Sequence, residues 1–213
     1  MSVRSRATGY AAVVTLAAAV NVALPTPTAS AKSPHEVDPA TVQPALNPDF
    51  APWSCWEAGA RILCQGEYDD AWTDEPIGLE CDGRPVYSTG SQHEQMTRWH
   101  TADGLATQTA VQLRVIETFS LEPDGSGPTA RSDGHWNRLY TYPVPGDRDS
   151  RILREVGAYW LLRAPGQGTT FVDAGIVEYA PGGEFEEIAG MNGRHDYFED
   201  PEAVDKAICE ALT

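Results

Sequence analysis

From Leu105 to Phe119 the odd positions include Leu105, Val111, Leu113, Val115 and Phe119, while Gln108, Gln112, Arg114 and Thr118 take even positions. A repeat of two sorts side chains onto the two faces of an extended chain, so this segment reads as a long strand with one wet face. Arg151 to Arg163 repeats the pattern with Ile152, Val156, Ala158, Trp160 and Leu162 on one side. Leu153, Tyr159 and Leu161 make its other side partly apolar, as in a strand covered on both faces. Further strands are expected at Arg61–Tyr68, Ile77–Cys81, Val86–His100, His135–Tyr142, Thr169–Ala180 and Glu184–Met191. Between them stand turn formers such as Asp82-Gly83, Asp103-Gly104, Pro123–Pro128, Pro165-Gly166 and Pro181–Gly183, which supply pre-set or positive φ. About eight strands with no intervening helical pattern predict an all-β fold, an antiparallel barrel or sandwich. One helix closes the chain: Asp200 is a cap, Pro201 suits the first turn, and Ala203, Val204, Ala207, Ile208, Ala211 and Leu212 line one face.

The first residues have a different character. Arg4 and Arg6 precede an apolar run from Tyr10 to Leu24, followed by Pro25 and Ala29-Ser30-Ala31. A basic start, an apolar stretch and a small-x-small site predict a signal peptide over 1–31 and a secreted protein. A membrane anchor would need about 20 apolar residues, and Asn21 and Pro25 interrupt the run. Lys32 to Pro52 contains Pro34, Pro39, Pro44, Pro48 and Pro52 and reads as a disordered tether. Residues 53–213 are left for a single domain, and no membrane insertion is expected once the leader is removed.

Four cysteines, Cys55, Cys64, Cys81 and Cys209, in an exported chain predict two disulfides. Their spacing lacks the close pairs of zinc sites. A hairpin turning around Asp69–Pro76 would set Cys64 opposite Cys81 and leave Cys55 for Cys209. A one-residue slip of that register favours Cys55–Cys64 instead.

The run Gly168-Thr-Thr-Phe-Val-Asp-Ala-Gly-Ile-Val-Glu-Tyr179 and the closing Ala207-Ile-Cys-Glu-Ala-Leu212, together with the leader and the strand content, resemble small secreted proteins of actinobacteria. The resemblance implies an exported β-rich domain and brings no catalytic residue with it.

Chemistry-bearing patterns are sparse. The formal net charge of −16 repels nucleic acid and anionic lipid before any contact forms. His93, His100, His135 and His195 occur in no ligand-dense spacing, so neither a metal nor another cofactor is expected. Asp124-Gly-Ser-Gly-Pro128 reads as a turn, not a nucleophile elbow. Asp69-Asp70 with Asp74-Glu75, and Asp147 with Asp149, gather oxygens without the rhythm of a calcium loop. Two residues stand out as candidates for ligand contact. Asp173 lies between Val172 and Ala174 in an apolar strand, a cavity acid if it faces inward, although alternation allows it to face solvent. Trp72 lies among Tyr68, Asp69, Asp70 and Asp74, a composition suited to stacking on a sugar or other flat ligand. The sequence therefore points to a secreted, non-enzymatic binding domain for a small apolar ligand or an extracellular partner. The alternatives are an extracellular acid–base enzyme using His and Asp/Glu from separate strands, and a structural or inhibitory envelope protein.

Overall fold

The computed structural model describes residues 35–181, the backbone of 185–190, and residues 201–213; the leader, Asp200 and His195 lie outside them. Each strand pairs antiparallel with the next in the order β1 (Ser54–Ala58), β2 (Arg61–Cys81), β3 (Arg84–Thr101), β4 (Ala106–Ser120), β5 (Thr129–Thr141), β6 (Ile152–Ala164) and β7 (Gly168–Tyr179), with the β8 backbone (Phe185–Gly190) added at the far edge. This is one antiparallel sheet, and among the described residues no pairing joins β1 to β8. The period-two segments are strands because alternate residues have a dry side to occupy. On β4 and β5, Val111, Leu113 and Trp136 are buried on the inner face, while Gln112, Arg114, His135 and Asn137 reach outward.

The hairpin expected around Asp69–Pro76 does not exist. Arg61–Cys81 is one 21-residue strand, and the chain reverses at Asp82-Gly83, whose φ values of 52° and 75° suit a two-residue hairpin turn. Register shifts between Trp72 and Glu75 and between Pro76 and Glu80 absorb the turn-like residues as bulges, with Asp74 and Gly78 at positive φ. Among the described residues this strand has no partner on its outer edge beyond Gln65, and the exposed Asp69, Asp70, Asp74 and Glu75 there discourage another chain from pairing with it.

The disulfides are corrected with the hairpin: Cys55 is bonded to Cys64 and Cys81 to Cys209. Cys64 and Cys81 stand at opposite ends of one strand, on the order of 50 Å apart at 3.3 Å per residue, whereas Cys55 faces Cys64 directly across β1 and β2.

Residues 35–52 are a second correction. Expected as a solvated tether, they form a strap along the sheet, with Val42 and Phe50 buried. The prolines serve this packing. Asp38 and Asn47 cap two single 3₁₀ turns, Pro39–Thr41 and Pro48–Phe50, each opened by proline. Gln43 donates to Gly104 O at 2.8 Å and accepts from Ala106 N at 2.8 Å, tying the strap to the β3–β4 turn. Gly66 makes the fit possible, since a Cβ there would meet Phe50 O at 2.5 Å. Val37, Val42, Leu46 and Trp53 join Cys55, Ile62 and Cys64 in an apolar cluster at this end.

The opposite end is closed by α1 (Pro201–Leu212). Its Val204, Ala207, Ile208, Ala211 and Leu212 pack on Val86, Phe119, Leu121, Ala130, Leu162 and Ala164, and the Cys81–Cys209 bond fixes it there. No helix among the described residues is long and apolar enough to cross a membrane, and the two disulfides mark an oxidising environment.

Candidate functional site

Between strap and helix the inner face carries charge. Register sets Met96, Val111, Arg138 and Glu155 side by side on β3 to β6, with Glu94, Leu113 and Trp136 in the next row. Arg138 donates from Nε to Glu155 Oε1 at 2.6 Å, and the Tyr159 hydroxyl donates to the other oxygen. Burial lowers the basicity of Arg138, but Glu155, with Tyr140 and Glu94, more than offsets it, and the guanidinium stays firmly charged. Burial against Glu155 pushes the Tyr159 hydroxyl far above the ordinary phenol range, so it acts only as a donor here.

Glu94 and Glu117 are the other acids of this face. Burial raises the pKa of both, opposed at Glu94 by Arg138 and the Gln92 amide, and at Glu117 by the Ser88 hydroxyl. Glu117 stands opposite Gly90, four residues along β3 from Glu94, or about 13 Å of strand.

Three cavities follow this face. One of about 330 Å³ is lined by Val115, Glu117, Trp136, Arg138, Tyr159 and Trp160. A second of about 330 Å³ shares Arg138 and is walled by Phe50, Tyr68, Glu94, Met96, Val111 and Tyr140. The third, about 460 Å³, shares Met96 and Tyr140 and opens beneath the strap.

The third cavity differs in charge. Arg98, Arg148 and Arg151 line it with Thr109, Tyr142, Leu46 and Pro48, and no carboxylate does. Among the described residues none of the three guanidiniums has an acid within ion-pairing distance. Arg98 is 4% exposed and Thr109 3%, yet Arg98 Nε and Thr109 Oγ1 have no hydrogen-bond partner. Arg98 Nη1 and Arg148 Nη2 both donate to Ala45 O, at 3.3 and 3.2 Å, and Arg151 lies 5.5 Å from the Tyr140 ring centre. Burial lowers the pKa of Arg98, helped by the adjacent Arg148 charge and opposed by the Tyr142 hydroxyl beside it. His100, fully buried nearby, is pushed down to about 4 by burial and by Arg98, with the Ile62 backbone pulling the other way.

The residues singled out from sequence lie elsewhere. Asp173 is 1% exposed, not solvent-facing, because β7 is covered on both faces where it pairs with the bulged Trp160 position. Trp72 lies over Gly90 and donates from Nε1 to Ser88 Oγ at 2.7 Å, which turns its ring onto the sheet. Neither lines the three cavities. The described histidines of the sheet do not converge: His93 meets Asp69 at 2.8 Å on the outer face, His135 is exposed two strands away, and His100 is inside. Among the described residues no group of three or more His, Cys, Asp or Glu could hold a metal ion. Asp69 and Asp70 belong to a strand, and Asp147 accepts from Asp149 N in a tight turn.

Sequence reasoning missed Arg98, yet a signal was there. In β3 it shares its parity with the buried Val86 and the inward Met96, so an arginine occupied an inner-face position. Arg148 and Arg151 come from the β5–β6 connection, and only the fold brings them to Arg98. No protein-family model, curated protein or solved structure matches the chain.

Proposed function

We propose that the protein is a secreted, non-enzymatic binding domain whose meander is an incomplete barrel holding one small molecule against its inner face. The observation that carries this reading is the run of three adjoining cavities, Arg138 joining the first to the second and Met96 and Tyr140 the second to the third. Volumes of about 330–460 Å³ fall in the range of small-molecule sites, and aromatic walls with a few convergent polar groups are their usual lining. The disulfides and the leader-like residues 1–31 support an exported protein, as does the resemblance to secreted actinobacterial proteins.

The test is titration with N-phenyl-1-naphthylamine, a neutral apolar dye that brightens when it leaves water. One dye should bind per chain, and Met96→Trp, which fills the two cavities nearest the strap, should abolish the signal. A dye that never brightens, or that binds Met96→Trp equally well, would contradict the reading.

A further inference from the structure

We propose that the cavity beneath the strap is the seat of one small organic anion, a carboxylate on an apolar body, gripped by Arg98, Arg148, Arg151 and Thr109. This rests on the small-molecule reading above and names the ligand class. The first ground is charge placed against the trend of the chain. With 31 acidic and 15 basic residues, most buried or clustered arginines should find a carboxylate, as Arg138 finds Glu155. Here three guanidiniums share a wall that holds no acid. Arg98 and Arg148 are anchored on a single neutral carbonyl, Ala45 O, which fixes two like charges together without cancelling either.

The second ground is unsatisfied bonding capacity. A buried donor left without a partner is costly, more so when charged. Arg98 Nε and Thr109 Oγ1 are two such groups on directly paired residues of β3 and β4, both on this cavity. One carboxylate has two oxygens and about four lone-pair directions, enough to accept from Arg98, from Thr109 and from a second arginine. Leu46, Pro48 and Met96 supply the apolar walls for the rest of the molecule.

The overall charge of −16 keeps polyanions away. A single carboxylate meets far less of that repulsion. Cationic ligands face the opposite preference at this end, since the guanidiniums repel them locally.

Calorimetric titration of the disulfide-bonded protein with decanoate, decanol and decyltrimethylammonium separates head from tail, because the three share one chain. Decanoate should bind one per protein at least tenfold tighter than decanol, about 1.4 kcal/mol, and decyltrimethylammonium weakest. Arg148→Gln with Arg151→Gln, both at exposed positions, should weaken decanoate about tenfold and leave decanol and the naphthylamine dye unchanged. Thr109→Val should weaken decanoate without lowering the melting temperature, an outcome that a purely structural threonine would not give. Equal affinity for decanoate and decanol, or arginine variants that weaken every probe alike, would overturn the anion site and leave the small-molecule reading standing. No binding by any probe, the dye included, would overturn both.

Discussion

The two ends of the inner face are closed by opposite means. At the helix end, Val204, Ile208 and Leu212 meet Val86, Phe119 and Leu162 in an apolar cluster sealed by the Cys81–Cys209 bond. At the strap end, Val42 and Phe50 are as well buried, but beside them lie Arg98, His100 and Thr109, each with a nitrogen or oxygen that has no partner. Burying polar groups unpaired works against stability. A chain that builds one dry lid has the means to build two, so the polar lid points to a task other than holding the fold together.

The widest gap between the ends should be in the disulfides. The Cys81–Cys209 bond closes a separation of 128 residues and the Cys55–Cys64 bond one of 9. On the loop-entropy model these are worth about 5 and about 2.5 kcal/mol respectively. Urea unfolding of Cys81→Ser with Cys209→Ser, against Cys55→Ser with Cys64→Ser, should show the larger loss for the helix-end pair. Equal losses would mean that the two lids are tied down alike.

Phe50→Ala probes the strap next. If the strap is a lid, the substitution removes a buried ring at a cost of about 3–5 kcal/mol. A loss near zero would return residues 35–52 to the status of a tether.

The pH response is smaller and its acid-labile part comes from His100 at the strap end. His100 has its pKa lowered from 6.5 to about 4, so between those values the unfolded chain binds more protons than the folded one. Stability should therefore fall as pH drops through that window, by on the order of 3 kcal/mol at most. Glu94 and Glu117 have raised pKa values and take up protons more readily when folded, so they oppose this trend. His100→Gln should flatten or reverse the acid limb of urea midpoints measured from pH 7 to pH 4.5. An unchanged limb would mean that His100 does not titrate as argued.

The smallest effect should carry the opposite sign. Thr109→Val replaces a buried, unpartnered hydroxyl by a methyl group of similar shape, and a gain of about 1 kcal/mol is expected. A loss would show that the hydroxyl is already satisfied in the free protein.

What could be read from sequence follows from how locally each signal is written. Alternation from Leu105 to Phe119 and the face formed by Val204, Ala207, Ile208 and Ala211 need only neighbouring residues, and those strands and that helix are present. The long β2 was obscured because Asp74, Pro76 and Gly78 have turn chemistry, which here serves two bulges. Val42 and Phe50 were hidden among prolines that lack any period, since their partners lie on distant strands. The expected pairings of Cys64 with Cys81 and of Cys55 with Cys209 failed with the hairpin register behind them. Asp173 and Trp72 were singled out by composition, but neither lines a cavity described here. The arginine cavity draws on β3, on the β5–β6 connection and on the strap. No single segment contains it.

The most direct measurement uses one methyl group at each end. In protein carrying ¹³C-methyl methionine and ¹³C-δ1 isoleucine, Met96 reports on the strap cavity and Ile208 on the helix end. Adding decanoate should shift the Met96 methyl progressively to saturation at one equivalent and leave Ile208 in place. Movement of Ile208 without Met96, or of neither, would contradict a small-anion site beneath the strap.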